Sequence, residues 1–254
     1  MRILLTNDDG IDAPGLAILR EIAETFGTEV WTVAPASDQS GIGHALTLSH
    51  PLRVTERGDR SFAVTGTPAD CVIVAVREMM DDAPDLVLSG INQGQNIADD
   101  VAYSGTIGGA MEAAMMGLRS IAISQAYRRD ADGVHVPWAN AQAVLPTLLP
   151  ELLSLDLPDP TFLNVNLPAT DTVNGLRVTR QGRVAHSLGT ERREDGRGKP
   201  YRWLRFGRGV PEAQPGSDIA ALADGSVSIT PLHTDLTAHD LLPDLAKRFN
   251  GPRE

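Results

Sequence analysis

Short, almost uninterrupted apolar segments recur through the first half of this chain, each followed by a stretch of helical periodicity. That alternation constrains the fold more than any other feature. Arg2–Thr6, Glu29–Ala34, Ser61–Thr65, Asp85–Ser89 and Ser120–Ser124 read as strands, and near-continuous apolar strands are ones buried on both faces. Between them, Leu16, Leu19, Ala23 and Phe26 recur at helical spacing behind Pro14, which suits a first helical turn. Thr67-Pro68 is a cap and first-position signal for a helix through Met80, and a further helix is expected from about Thr106 to Met116. Strands and helices in this order imply an α/β fold, a parallel sheet covered by helices on each side.

Beyond residue 125 the pattern loosens. Trp138–Leu153 has helical character, with Pro146 and Pro150 expected to kink or end it. Thr161–Leu167, Leu176–Gln181 and Ser226–Thr230 read as strands, and Ala238–Phe249 as a terminal helix. Glu191–Arg208 is too polar for a core of its own and reads as a hairpin or arm. Around it, Arg183, Arg192, Arg193, Arg197, Lys199, Arg202, Arg205 and Arg208 outnumber Glu191, Glu194 and Asp195 by five. Guidance of polyanions is one use for such a surface. The interleaved Tyr201, Trp203, Leu204 and Phe206 favour subunit packing instead. The expected organisation is one domain over 1–254, in which residues 1–125 carry the site. Residues 126–254 supply the remaining core elements, an arm over about 183–225 and the C-terminal helix.

The formal charge of −11 disfavours a general nucleic-acid backbone binder, which needs clustered positive charge. It does not exclude a small anionic substrate, because a bound cation inverts the local field. The N-terminal residues lack a signal peptide's apolar stretch, and no window approaches the roughly 20 apolar residues that cross a bilayer. Cys71 is the single cysteine and reads as core filler. A cytoplasmic location with no membrane partner is the expectation.

Ligands of doubly wound sheets bind outside the carboxyl ends of the strands. Three polar, glycine-bearing loops follow three of the strands here: Asn7-Asp8-Asp9-Gly10, Ser37-Asp38-Gln39-Ser40-Gly41 and the segment from Gly90 to Asn96. Adjacent carboxylates beside a buried strand repel and are poorly solvated, and a divalent cation compensates both. Asp8 and Asp9 could instead cap a helix or form an Asx turn, but two in a row favour a metal. Ser40 and Asn92 add neutral oxygens, and an all-oxygen set suits Mg²⁺ or Mn²⁺ rather than zinc. Tyr103-Ser104-Gly105-Thr106 precedes a helix, where main-chain N–H groups favour an anion; ordinary capping by Ser104 or Thr106 is the competing reading. Neither a dinucleotide fingerprint nor a P-loop is present. Gly66-Thr67-Pro68-Ala69-Asp70, His44 and His233 each admit a structural role as readily as a chemical one.

Taken in order, Asn7-Asp8-Asp9-Gly10, Ala34-Pro35 with Gln39-Ser40-Gly41, Thr65-Gly66-Thr67-Pro68-Ala69-Asp70-Cys71, Ser89 to Asn96, Tyr103-Ser104-Gly105-Thr106 and Ser228-Ile229-Thr230-Pro231-Leu232 are distinctive. Together they resemble the stationary-phase survival protein SurE family of 5′/3′-nucleotidases over nearly the whole chain. The resemblance implies a Rossmann-like, three-layer core with an extended C-terminal β-arm used in dimer or tetramer assembly. It also implies metal-dependent hydrolysis of nucleoside 5′- and 3′-monophosphates, with short-chain polyphosphate as a further substrate. One divalent ion per subunit would be held by Asp8, Asp9, Ser40 and Asn92, and phosphate by Asn96, Ser104, Gly105 and Thr106. Ala98 stands where the family usually has glycine, and Gln95 is not the commonest residue at its position. Both bear on the shape of the site loop more than on the metal.

The catalytic expectation is that a carboxylate, Asp8 first with Asp9 beside it, orients an attacking water or itself attacks phosphorus. Three alternatives compete: a nucleotide-binding regulatory module without turnover, a metal-dependent deacetylase, and a dehalogenase-like phosphatase. The deacetylase expects histidines that Thr6-Asn7-Asp8-Asp9 lacks, and the phosphatase expects spaced rather than adjacent aspartates.

Overall fold

A computed structural model describes residues 1–158, 160–184, 186–208 and 213–250. In chain order its elements are β1 (Arg2–Thr6), α1 (Pro14–Glu24), β2 (Glu29–Pro35), β3 (Val54–Gly58), β4 (Ser61–Val64) and α2 (Pro68–Val74). A π-helical turn (Ala75–Met79) extends α2 and leads to β5 (Leu86–Gln93), a 3₁₀ turn (Ala98–Tyr103), α3 (Gly105–Met115) and β6 (Ser120–Gln125). The small hairpin β7 (Arg128–Asp130) and β8 (Gly133–His135) precedes α4 (Trp138–Leu153), β9 (Thr161–Leu167) and β10 (Leu176–Val178). Then come β11 (His186–Glu194), β12 (Pro200–Arg208), α5 (Asp218–Ala223), β13 (Val227–His233) and α6 (Leu242–Phe249).

Nine strands form one sheet in the order β10-β13-β9-β6-β5-β1-β2-β4-β3. It is mostly parallel, as the alternation requires, but β13 against β9 and β3 against β4 are antiparallel. For β3 the reason is local: only Asp59 and Arg60 separate it from β4, and so short a link joins antiparallel neighbours alone. From β1 the chain steps outward through β2 to β4, then returns to β5 on the other flank and moves outward through β6 to β9. The order therefore reverses between β1 and β5, and their carboxyl ends frame the crevice where such sheets bind ligands.

The apolar strands divide between two helical layers. Ile3, Leu5, Leu86, Leu88, Ile121, Ile123 and Val165 pack under Leu16 and Leu19 of α1 and Leu145 and Leu149 of α4. Leu4, Val33 and Val87 face Cys71, Val72 and Ala113 on α2 and α3. Burial lifts the Cys71 thiol far above its ordinary range, leaving it inert core filler. Toward the carboxyl ends the α3 side of the sheet turns polar. Thr6 lies beside Ser89, and Ser124 beside Asn166, all fully buried.

Several elements differ from expectation. Pro146 and Pro150 do not end α4: they lie half-buried and exposed, off the face on which Leu145, Leu148, Leu149 and Leu152 are buried. β5 runs on through Gly90 to Gln93 past a register shift, so Asn92 sits on a strand end rather than in a loop. Helix α5 and strands β3, β7 and β8 carry no apolar period long enough to be read. The hairpin β11–β12 forms as expected and makes its own two-stranded sheet. The arm expected over about 183–225 takes in residues 185 and 209–212, which lie outside the described residues, as do the side chains of Phe206 and Arg208. Among the described residues no helix is long and apolar enough to cross a membrane.

Candidate active site

The three loops meet at the crevice, and hydrogen bonds from main-chain N–H groups tie them together. The buried Asn7 side chain spans its own turn, donating to the Gly10 carbonyl at 2.8 Å and accepting from the Gly10 N–H. Gly10 itself sits at φ 103°, open only to glycine without strain. The second loop is tied to the first where the Gln39 N–H donates to the Asp8 carbonyl at 2.8 Å. The third joins where the Gln93 N–H donates to Asp9 Oδ2 at 2.9 Å. Asp8, Ser40, Asn92, Asn96 and Ser104 line one cleft of about 380 Å³, together with Gly41, Gln93 and Tyr103. A second cleft of about 570 Å³, lined by Asp9, Asp12, Asp38 and Trp138, shares Ser40 and Gln93 with it. The two aspartates thus stand on the ridge between two lobes.

Their electrostatics demand a partner. Asp8 is 3% exposed, and its carboxyl is pushed up from 3.8 to about 6. Burial is the main cause, the charge of Asp9 adds to it, and the hydroxyl and main-chain N–H of Thr106 oppose it. Asp9 is also raised, chiefly by burial and then by the charge of Asp38, against the Gln93 N–H. A divalent cation between the two carboxylates would offset repulsion and desolvation together. The neutral donors are disposed to join it. Asn92 spends its amide N–H on the Gly94 carbonyl at 2.8 Å, leaving its oxygen for the cleft. Ser40 donates its hydroxyl to Asp38 at 2.6 Å and keeps its lone pairs. Among the described residues no three His, Cys, Asp or Glu side chains group to hold a metal, so the set on offer is two carboxylates with neutral oxygens. That chemistry fits Mg²⁺ or Mn²⁺.

Helix α3 starts directly over Asp8. Ser104 caps it, accepting from the Ile107 N–H at 3.1 Å, and still faces the cleft. A Cβ on Gly105 would stand 2.8 Å from the Asp8 Cβ, so the helix start approaches this closely only because the residue is glycine. Thr106 is buried with its hydroxyl donating to Asp8 Oδ1 at 2.5 Å, so its side chain fixes the carboxylate and is turned from the cleft. Asn96 projects from the loop opposite, donating to Ser124 Oγ at 2.9 Å. Its main chain is gripped by two side chains that the sequence reading passed over. The Asn96 N–H donates to Asn166 Oδ1 at 2.8 Å, and Asn164 donates to the Asn96 carbonyl at 2.8 Å. Two asparagines at alternate positions of the otherwise apolar TFLNVNL put a polar stripe on one face of β9, which was the available signal. Asp38 was the other omission, masked by its place in a loop of many polar residues.

Of the remaining candidates, Thr67, Asp70 and His44 make structural contacts, and His233 lies away from the crevice. Thr67 and Asp70 form a reciprocal cap on α2, each side chain accepting from the other's N–H. His44 pairs with Glu112 on α3 at 2.7 Å. His233 is exposed beside Thr161, at the rim opposite the crevice.

A profile described as survival protein SurE matches residues 3–187. The chain belongs to the SurE family. The 5′-nucleotidase SurE of Chelativorans sp. (strain BNC1) is 54% identical to it over 249 residues, 97% of this chain and 99% of that protein. The 5′-nucleotidase SurE of Brucella anthropi is 52% identical over 248 residues, 97% of this chain and 96% of the relative. The crystal structure of the SurE protein from Aquifex aeolicus superposes with a TM-score of 0.82 at 37% identity, covering 98% of this chain and 99% of that one. The switch-point crevice between β1 and β5 therefore lies in a SurE fold.

Proposed function

We propose that this chain is a divalent-metal-dependent 5′-nucleotidase, a phosphoric monoester hydrolase releasing phosphate from nucleoside 5′-monophosphates. Nucleoside 3′-monophosphates and short-chain polyphosphate are its further substrates. One observation carries the reading. The buried Asp8 carboxylate faces an anion cradle, made by Asn96 and the start of α3, across one cleft, and the half-buried Asp9 beside it opens on the adjoining cleft. The names of the relatives, 5′-nucleotidase SurE, support the substrate class.

Asp8, Asp9, Ser40 and Asn92 would hold the ion, which when bound would supply positive charge to a phosphate oxygen in the transition state. The other phosphate oxygens face Asn96, Ser104 and the Gly105 N–H, where the dipole of α3 favours negative charge. Thr106 fixes the rotamer of Asp8, so that this carboxylate is set to orient the attacking water. The two inter-loop bonds, from the Gln39 N–H to the Asp8 carbonyl and from the Gln93 N–H to Asp9 Oδ2, keep these groups in register.

Self-association completes the proposal. Tyr201, Trp203 and Leu204 on the arm, and Leu241, Leu242, Leu245 and Phe249 around α6, are all more than a third exposed. Apolar surface of this kind marks an interface, and a second copy of the chain is the partner assigned to it, as a dimer or tetramer.

The test is phosphate release from a panel of 5′- and 3′-monophosphates with Mg²⁺, with Mn²⁺ and with excess chelator. Release that requires metal and is fastest on 5′-monophosphates is the expected result. Nucleotide binding without release under any metal would replace this reading with a regulatory binding module.

A further inference from the structure

Asp218 lies far from Asp8 in sequence and has no ion-pair partner among the described residues, yet it is fully buried. Its carboxyl group accepts three main-chain hydrogen bonds. One oxygen takes the Ala98 N–H at 2.8 Å. The other takes the N–H groups of Gly182 and of Ile219, both at 2.8 Å. Ala98 belongs to the loop that carries Asn96, and Gly182 lies at the root of the β11–β12 arm. The clasp is reciprocal. Gln181 donates its amide to the Ala98 carbonyl at 2.7 Å, and Asp99 accepts from the Val184 N–H at 2.7 Å. Ala98 is held at φ 52°, a left-handed conformation that an L-residue keeps only when its surroundings impose it. Close approach is built in as well, since a Cβ on Gly182 would stand 2.8 Å from Asp218 Oδ1.

We infer that Asp218, with Gln181, is a positioning residue that clamps the Asn96 loop against the arm root and so sets the geometry of phosphate binding. Among the described residues, no hydrogen bond joins the clasp to the proposed metal oxygens on Asp8, Asp9, Ser40 and Asn92. The clamp therefore acts on the phosphate side of the cleft and leaves the metal side alone. It also gives the arm a mechanical connection to the site. The inference rests on the proposed role of Asn96 as a phosphate contact.

Substituting Asp218→Asn keeps shape and volume but turns an NH₂ toward one of the donors it formerly accepted. The experiment measures inorganic phosphate affinity on the Mn²⁺-loaded protein, with Mn²⁺ affinity beside it, for Asp218→Asn, Asn96→Ala and the double variant. The expected result is phosphate affinity reduced about tenfold by either single change, with Mn²⁺ affinity unaltered. In the double variant the losses do not multiply, because both act through one side chain. Gln181→Met, which removes a donor from a partly buried position, repeats the cycle should Asp218→Asn not fold. Losses that multiply, or phosphate affinity untouched by Asp218→Asn and by Gln181→Met while Asn96→Ala reduces it, would overturn the inference. An Asn96→Ala variant with full phosphate affinity would instead remove the phosphate assignment on which it stands.

Discussion

At the scale of single residues, the strongest opposing forces meet on Asp8. Burial raises its carboxyl to about 6, against an ordinary 3.8, while Thr106 holds the ionised form in place. Without metal the folded state binds its proton more tightly than the unfolded state does. The stability this confers is present in full below pH 3.8 and is lost as pH rises through about 6, a difference of roughly 3 kcal/mol. Metal-free wild type should therefore lose stability relative to Asp8→Asn between pH 4 and 7 in urea titrations, with Mn²⁺ restoring much of the loss. A difference between the two proteins that did not change with pH would exclude this account of Asp8. Ala98 illustrates a smaller balance. A left-handed alanine costs about 1–2 kcal/mol, but its methyl group is fully buried against Ile97, Val184 and Ile219. A buried methyl returns about 0.8 kcal/mol, and the two hydrogen bonds on the Ala98 main chain add to it. That balance is how an alanine is kept in the left-handed conformation at this position.

Among the elements, α3 carries the most consequence for its length. Its first turn covers Asp8 at a separation that only glycine permits at residue 105. Gly105→Ala should push the helix start and the carboxylate apart by several tenths of an ångström and reduce phosphate release about a hundredfold. Circular dichroism should remain close to wild type, since alanine suits a helix better than glycine does. Full turnover in this variant would show that the close approach is incidental. The elements that could be read in advance are those whose burial is two-sided. β1, β2 and the first half of β5 declare themselves in near-continuous apolar runs, and the three rim loops follow from where those runs stop. What escaped was structure fixed by tertiary partners instead of local pattern. α5 is six residues long and exists to present Asp218. β5 continues beyond Ser89 because β6 pairs with it again at Asn92 and Gln93. α4 passes through two prolines because its inward leucines bury regardless.

For the whole molecule, the notable fact is apolar surface left uncovered at the far end of the chain. Trp203 is 57% exposed, Leu204 80% and Leu236 90%, and none of α6 is buried. On the arm, Arg193 and Arg205 both pair with Glu191, while Tyr201, Trp203 and Leu204 stay exposed and available. A double substitution, Trp203→Glu with Leu204→Glu, should lower the mass seen by sedimentation velocity. Mn²⁺ binding should persist, since the metal oxygens belong to the core. An unchanged mass would place the self-association elsewhere. The order of the sheet, the meeting of three loops at its reversal and the burial of Asp8 all converge on one claim, that a single divalent ion sits between Asp8, Asp9, Ser40 and Asn92. Crystals grown with Mn²⁺ and measured for its anomalous scattering test that claim most directly. One strong peak within bonding distance of those four oxygens, absent from Asp9→Asn crystals, is the predicted result; no peak in the crevice, or one unaffected by Asp9→Asn, would contradict it.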